Sequence, residues 1–348
     1  MKKLLKLLLI GLLALSSCTT DTDEPLPVPE VNPNLYMATE GLTGCPETIY
    51  NLYGDTVYQC EDAESSISSL VAEGLDWYAL IIRGDGAYNV VKNGKSIYLT
   101  GETIHCFTVE NGSIYTVQEN KVSNTTWVCK DFERIHEVVG AVLYNNFSVD
   151  HGNVTMAIYY EPEYWYNGEF IPIEGLEGRI EKVYGIDKKG DDMLITYQDN
   201  NTGADLYWWN GVTHEFPEGF IPTTSCIAKG HFFVLGRMMT TLGGHGSQWL
   251  PHGLPWLIMD GYEEVLSTKT IDFEAAQLVE LDGTTYILVK SLRGATSYIF
   301  RGFQLLDLPT VEIPDKLKPY YSYYKDGKVN LSDMGIKCIA VGANQEQQ

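Results

Sequence analysis

The chain has 348 residues, with 46 acidic against 24 basic side chains and a formal charge of −22. A surface this acidic repels nucleic acid phosphates and anionic lipid heads, which excludes nucleic acid as a partner. It leaves open an exported, exposed domain that binds cations or neutral sugars.

The first element is a targeting segment. Lys2, Lys3 and Lys6 precede an apolar run from Leu7 to Leu15 that only Gly11 interrupts. A charged head and a short apolar core make a secretory signal, and the run is well short of the ~18 residues of a membrane span. Leu15-Ser16-Ser17-Cys18 then places small residues before a cysteine. This resembles the lipobox of bacterial lipoproteins. The resemblance implies cleavage of residues 1–17, acylation of the Cys18 thiol with palmitate-type chains, and acylation of the new amine. Several chains anchor a protein stably where one is marginal. The plainer alternative is an ordinary signal peptide with an incidental cysteine. Cleavage removes three lysines and no acid, taking −22 to −25.

Residues 18–33 form an acidic, proline-rich tether: Thr19 to Pro33 reads TTDTDEPLPVPEVNP and carries no apolar period. Such a stretch builds no core and acts as an extended spacer. Asp21, Asp23 and Glu24 behind the cysteine look like the export tag of lipoproteins displayed on the outer face of the outer membrane. The expected location is therefore the outer membrane, lipid-anchored and surface-exposed, with the periplasmic face as the alternative.

From residue 34 to 341 a repeat organises the chain. A polar-Gly turn followed by an apolar strand recurs at Gly74, Gly112, Gly152, Gly190, Gly230, Gly283 and Gly327, at spacings of 38, 40, 38, 40, 53 and 44. A second turn lies inside the units, as in VVKNGKSIYL at Asn93-Gly94, EYWYNGEF at Gly168, LYWWNGVT at Gly211, WLIMDGYE at Gly261 and YIFRGF at Gly302. Asn-Gly and Asp-Gly between apolar runs are the strongest short hairpin signal, because both turn positions need positive φ. A further strand closes each unit, as in TIHCFTV and RIEKVYGI. Each unit of ~40 residues thus reads as four antiparallel strands, which is the period of a propeller blade.

The expected fold is an all-β propeller of seven four-stranded blades, with six or eight as alternatives. The first blade covers about Leu35 to Glu73, and strands from Lys328 to Val341 pair with it to close the ring. One stretch, Glu61 to Ala72, shows a weak helical period. Residues 342–348 are expected as a disordered tail. The units resemble the degenerate propeller repeats of exported bacterial proteins, a resemblance that implies a fold and no chemistry.

With Cys18 lipidated, six cysteines remain, and they allow fifteen pairings in an exported chain. Cys45 with Cys60 is the pair a hairpin would bring close; the other reading is that the thiols are small buried hydrophobes. No CxxC spacing occurs, so no metal site is expected, and no cofactor.

Two regions are candidates for function. One is the overlong loop from Met238 to Pro255, rich in glycine, with His245, His252 and Trp249, the last a natural ligand platform. The other is a ring of polar residues ending the strand after each turn: Arg83, Gln118, Tyr159 (or Tyr160), Gln198, Arg237 and Lys290. If that strand is innermost, these tips surround one mouth of the central channel. Arg83, Arg237 and Lys290 would there hold an anion, unless neighbouring acids such as Asp85 or Glu119 neutralise them.

No GxSxG, HExxH, Walker or GxGxxG pattern in a suitable setting is present. The expectation is a binding protein that captures a glycan or small anionic ligand for an outer-membrane transporter. The alternative is a polysaccharide lyase or hydrolase that recruits His231, Tyr159, Tyr197 and Arg83.

Overall fold

The computed structural model describes residues 34–40, 45–139, 142–239, 253–266, 273–281, 284–291, 296–312 and 327–343. Cys18, the tether and the glycine-rich segment with His245, Trp249 and His252 lie outside these residues.

The described strands form seven four-stranded antiparallel sheets. Blade 1 holds β1 (Leu35–Thr39), β2 (Thr48–Asn51) and β3 (Thr56–Gln59), and β30 (Ile336–Val341) completes it. Blade 2 runs β4 (Ser66–Glu73), β5 (Asp76–Ile82), β6 (Tyr88–Lys92) and β7 (Lys95–Thr100). Blade 3 runs β8 (Thr103–Glu110), β9 (Ser113–Asn120), β10 (Thr125–Lys130) and β11 (Glu133–Val138). Blade 4 runs β12 (Val142–Asp150), β13 (Asn153–Ile158), β14 (Glu163–Tyr166) and β15 (Glu169–Pro172). Blade 5 runs β16 (Ile180–Lys189), β17 (Asp192–Asp199), β18 (Asp205–Trp209) and β19 (Val212–Glu215). Blade 6 runs β20 (Phe220–Ala228), β21 (His231–Met239), β22 (Gly253–Met259) and β23 (Tyr262–Val265). Blade 7 runs β24 (Phe273–Leu281), β25 (Thr284–Ser291), β26 (Ser297–Arg301) and β27 (Gln304–Leu305). A small extra pair, β28 (Thr310–Glu312) with β29 (Lys328–Asn330), precedes β30.

The strands β4, β8, β12, β16, β20, β24 and β30 adjoin one another in a closed circuit. They are the innermost strands, and the fold is a seven-bladed β-propeller. Closure follows the expectation from the sequence: β30 pairs antiparallel with β1, with Met37 opposite Ile339. Across the seam, Gln277 donates to the Ile339 carbonyl at 2.9 Å and accepts from its N–H at 2.8 Å. The side-chain amide so continues the hydrogen bonding from blade 7 to the closing strand.

Burial explains the ring. The buried apolar residues fall into seven clusters, one in each seam between blades. Consecutive residues of a middle strand serve opposite seams: Leu194 packs with Val234 and Ile258 of blade 6, and Ile195 with Ala157 and Ile173 on the blade 4 side. A strand buried on both faces reads as a continuous apolar run, as MLITY does. Each such side chain contributes about 1.5–3 kcal/mol.

One end of the ring consists of tight turns. Asn93-Gly94, Asn167-Gly168, Asn210-Gly211 and Asp260-Gly261 all have positive φ at both positions, for example 47° and 79° at Asn93 and Gly94. The first turn residue also latches the sheet. Asn93, Asp131, Asn167, Asn210 and Asp260 accept, through the side chain, from the N–H of Trp77, Ile114, Val154, Met193 and Phe232, all at 2.8–3.0 Å. Nearer the axis, carboxylates join neighbouring blades at the first hairpin. Glu73 accepts from the N–H groups of Asn111 and Gly112, Glu110 from those of His151 and Gly152, and Asp150 from Gly190. Asp187, buried in β16, accepts from Ser148 of blade 4 at 2.5 Å and from the Ile227 N–H of blade 6 at 2.7 Å.

Four details differ from the sequence reading. The repeat is out of phase by one strand: the glycine turn lies inside the blade, so the strand that seemed to close one unit opens the next, and Ser66–Glu73 belongs to blade 2. Glu61 to Ala72 is no helix; Ser66 to Ala72 lies within β4. The Cys45–Cys60 bridge is not formed. Cys45 packs with Leu35 and Met37 on one face of blade 1, and Cys60 with Ala38 and Ile49 on the other, so the sheet stands between the thiols. The ordered chain also continues past 341, because Gly342 and Ala343 donate to the carbonyls of Asn34 and Gly74.

Candidate functional site at one mouth of the channel

The end of the ring opposite the tight turns carries the loops between second and third strands and the crossings between blades. Here each innermost strand has a β-bulge near its start. The register shifts between Ile67 and Ser69, Ile104 and Cys106, Ile180 and Lys182, and Pro222 and Thr224, leaving Ser68, His105, Glu181 and Thr223 as the extra residues. In the closing strand the extra residue is Lys337. A bulge leaves one residue out of the ladder and re-aims its side chain. Ser68, His105, Glu181 and Thr223 are exposed, whereas the residue on either side of each is buried or half-buried. Neighbouring blades cover both faces of an innermost strand, so solvent reaches these four from the channel. All of the named bulge residues are polar.

The bulge also explains the false helical signal. Ile67 and Leu70 pack into one seam cluster despite standing three apart, as do Ile104 and Phe107, Ile180 and Val183, and Ile336 and Ile339. A plain strand puts residues three apart on opposite faces. One extra residue restores the phase.

Several charged groups at this mouth are paired. His105 meets Glu119 at 2.7 Å. Lys337 donates to both oxygens of Glu47, at 2.8 and 3.0 Å, and to the Ser66 hydroxyl at 2.9 Å. Tyr184, the extra residue of a second bulge in β16, donates to Asp205 at 2.6 Å. Burial, then the Asp205 carboxylate, pushes the Tyr184 hydroxyl far up. Burial likewise raises Asp205, against the pull of Tyr184 and Lys182. Among the described residues no group of three or more His, Cys, Asp or Glu is placed to hold a metal ion.

The residues singled out from the sequence stand one strand further out. Arg83, Gln118, Tyr159, Gln198, Arg237 and Lys290 lie in or directly after β5, β9, β13, β17, β21 and β25, the second strands. They flank this mouth without forming its innermost ring, because the repeat phase is shifted by one strand. Arg83 pairs with Asp85 at 3.5 Å, and Lys290 with Glu40 at 3.1 Å. Gln118 is only 1% exposed and is held by Thr116 and the Tyr98 hydroxyl. Gln198 donates to the Gly203 carbonyl across its own loop. Tyr159 comes nearest the ring: its carbonyl accepts from the N–H of Val183 in β16, and its ring meets Tyr160 edge-on at 4.2 Å. Arg237 is half-buried opposite Ile221, and Trp249 lies outside the described residues.

The catalytic set is not brought together. His231 sits at the turn end of blade 6, bonded to Asp260 at 2.5 Å, whereas Arg83 and Tyr159 are at the opposite end. Tyr197 is fully buried.

No family model matches the chain. No curated protein matches it either. Solved structures do. The acylaminoacyl peptidase of Pyrococcus horikoshii is 13% identical with a TM-score of 0.51, and the match covers 84% of this chain and 52% of that one. The β-propeller domain of the Trilobed protease from Pyrococcus furiosus is 9% identical, with a TM-score of 0.48 and coverage of 78% and 93%. The BP39L lectin from Burkholderia pseudomallei is 12% identical, with a TM-score of 0.45 and coverage of 77% and 91%. This chain spans about half the length of the peptidase. Likeness at these identities concerns the fold alone.

Proposed function

We propose that the chain is a lipid-anchored binding protein of the outer membrane that captures an uncharged, polyhydroxylated ligand, a glycan, at the bulged mouth of its channel. One observation carries the reading: four bulges, one each in β4, β8, β16 and β20, leave an exposed polar residue near the start of an innermost strand. Bulges gather where a side chain is re-aimed for a purpose. Serine, threonine, imidazole, carboxylate and ammonium together offer donors and acceptors without an apolar floor. The cations Arg83, Lys290 and Lys337 each have a carboxylate partner, while Arg237 has none among the described residues. That pairing favours hydroxyl groups over the small anion also considered from the sequence. Anchoring rests on the Leu15-Ser16-Ser17-Cys18 sequence, and delivery to an outer-membrane transporter follows from a surface position.

Two measurements test this. Cells fed labelled palmitate should label the chain, and Cys18→Ala should abolish the label; retention of label overturns the anchor. Calorimetric titration of the mature chain with neutral oligosaccharides should give binding that His105→Ala with Glu181→Ala weakens at least tenfold. Binding of a ferric siderophore in preference to any neutral glycan would restore the anionic reading. Cleavage of the glycan would replace binding by catalysis.

A further inference from the structure

One cavity lies away from the mouth. A groove of about 750 Å³ runs between the outer strands of blades 4 and 5. Tyr164 of β14 and Trp208 of β18 line it, with Ile173 and Met193, both buried, beneath. Glu174, Asp191 and Lys188 line it as well. We propose that this groove is a second, independent binding site, for a short neutral oligosaccharide whose pyranose face stacks on Trp208 and Tyr164.

The next seam supplies the contrast. Between blades 5 and 6, aromatic rings close the seam: Tyr207 lies 5.2 Å from Phe232 and 5.0 Å from Phe216, and Trp209 lies 5.1 Å from Phe232. The seam between blades 4 and 5 has the same kind of complement and stays open. Trp208 makes no ring contact among the described residues, and Tyr164 meets only Tyr166, at 6.2 Å. Both rings are half-buried. Neither the indole N–H nor the Tyr164 hydroxyl has a hydrogen-bond partner there, and none of the buried unsatisfied atoms belongs to either residue. Two apolar faces with unoccupied polar edges are what a sugar needs. Its C–H face packs on a ring, and its hydroxyls meet donors and acceptors at the rim.

The rim charges select the class. Glu174 and Asp191 are exposed, with no ion pair or hydrogen bond among the described residues. Carboxylates accept well from sugar hydroxyls. Two carboxylates against one lysine repel a uronic or sialic acid. The same net charge admits a quaternary ammonium, the other ligand that aromatic faces attract, so that cation is a separate arm of the test. The volume lies within the range of small-molecule sites and exceeds the need of one sugar ring.

The test uses the mature chain and a panel of neutral hexa-oligosaccharides of glucose, xylose and mannose, with hexagalacturonate and tetramethylammonium as the other arms. The expected result is that at least one neutral member binds and perturbs tryptophan emission. Trp208→Ala and Tyr164→Ala each weaken it at least tenfold, and Trp208→Phe retains part of the affinity. Glu174→Ala with Asp191→Ala, both at exposed positions, does the same without touching the seam. His105→Ala with Glu181→Ala leaves groove binding unchanged, which separates this site from the mouth. No binding by any neutral member overturns the proposal. So do binding indifferent to all the groove substitutions, and preference for the acid or the ammonium.

Discussion

The two ends of the ring are built on different rules. At the turn end, connections are short, φ is positive at fixed positions, and side chains from one blade bond the backbone of the next, as Glu73 does to Asn111 and Gly112. At the mouth end, the innermost strands leave their ladders for one residue or more and the loops differ in length. The difference teaches that structural demand and variable chemistry are kept apart along one strand. The turn half of β16 holds Asp187, which ties three blades together. Its mouth half holds Glu181, which ties none.

The largest effect is expected where both ends meet. A chain ending at Gly335 lacks β30, and with it Ile336, Ile339 and Val341 of the seam between blades 7 and 1. Calorimetry should then find no cooperative transition. A melt like that of the parent would mean that closure is not what holds the ring.

Next come single positions. Asp187→Ala strands the Ser148 hydroxyl and the Ile227 N–H, and should cost about 3 kcal/mol by denaturant unfolding. At the mouth end a comparable position is Gly236, where a Cβ would lie 2.4 Å from the Ile221 carbonyl oxygen and 2.4 Å from the Phe220 ring. Gly236→Ala should cost about 1–3 kcal/mol through overpacking.

A sharper comparison sets turn against bulge. Asn210→Ala puts alanine at φ 47° and removes the bond to the Met193 N–H, so a loss of about 1–2 kcal/mol is expected. Thr223→Ala and Glu181→Ala should stay within about 0.5 kcal/mol. If the bulge substitutions destabilise more than the turn substitution, the division between the two ends fails.

The smallest effect is a titration at the turn end. Burial works against the Asp150 carboxylate, but the Gly190 N–H and the His151 imidazole outweigh it and hold the carboxyl below its ordinary value. The same imidazole, 3.1 Å away, has its pKa raised from 6.5 by the Asp150 hydrogen bond first and its charge second. The depressed carboxyl contributes stability above the usual aspartate range, and that is lost as pH falls through its folded pKa. The raised imidazole contributes below 6.5, and that is lost as pH rises through its folded pKa. The pair is therefore strongest in mildly acidic solution. An NMR titration of His151 should show a midpoint above 6.5 that Asp150→Asn returns toward 6.5.

What was legible in the sequence follows the same division. Asn93-Gly94, Asn167-Gly168, Asn210-Gly211 and Asp260-Gly261 announced their turns, because few residues tolerate positive φ at both positions. The spacing of the polar-Gly turns from Gly74 to Gly327 carried the blade count, and the apolar strand after Lys328 carried the closure. The phase of the unit was not legible, since a glycine turn looks alike between blades and within one. That error put the candidate residues on the second strands. The innermost ring did leave a trace: apolar pairs three apart, as at Ile67 and Leu70 or Ile104 and Phe107. In isolation that spacing imitates a helix, and only its recurrence at the same point of each unit identifies a bulge. The groove of Tyr164 and Trp208 left none, because both look like ordinary strand aromatics until the neighbouring seam shows how such rings close.

A bulged residue stands outside the alternation that assigns its neighbours to one seam or the other. Its identity is therefore free of the packing code. Ser68, His105, Glu181 and Thr223 can be exchanged for other side chains with no compensating change in the apolar clusters on either flank. The channel lining is an editable layer over a fixed frame, open to change one blade at a time.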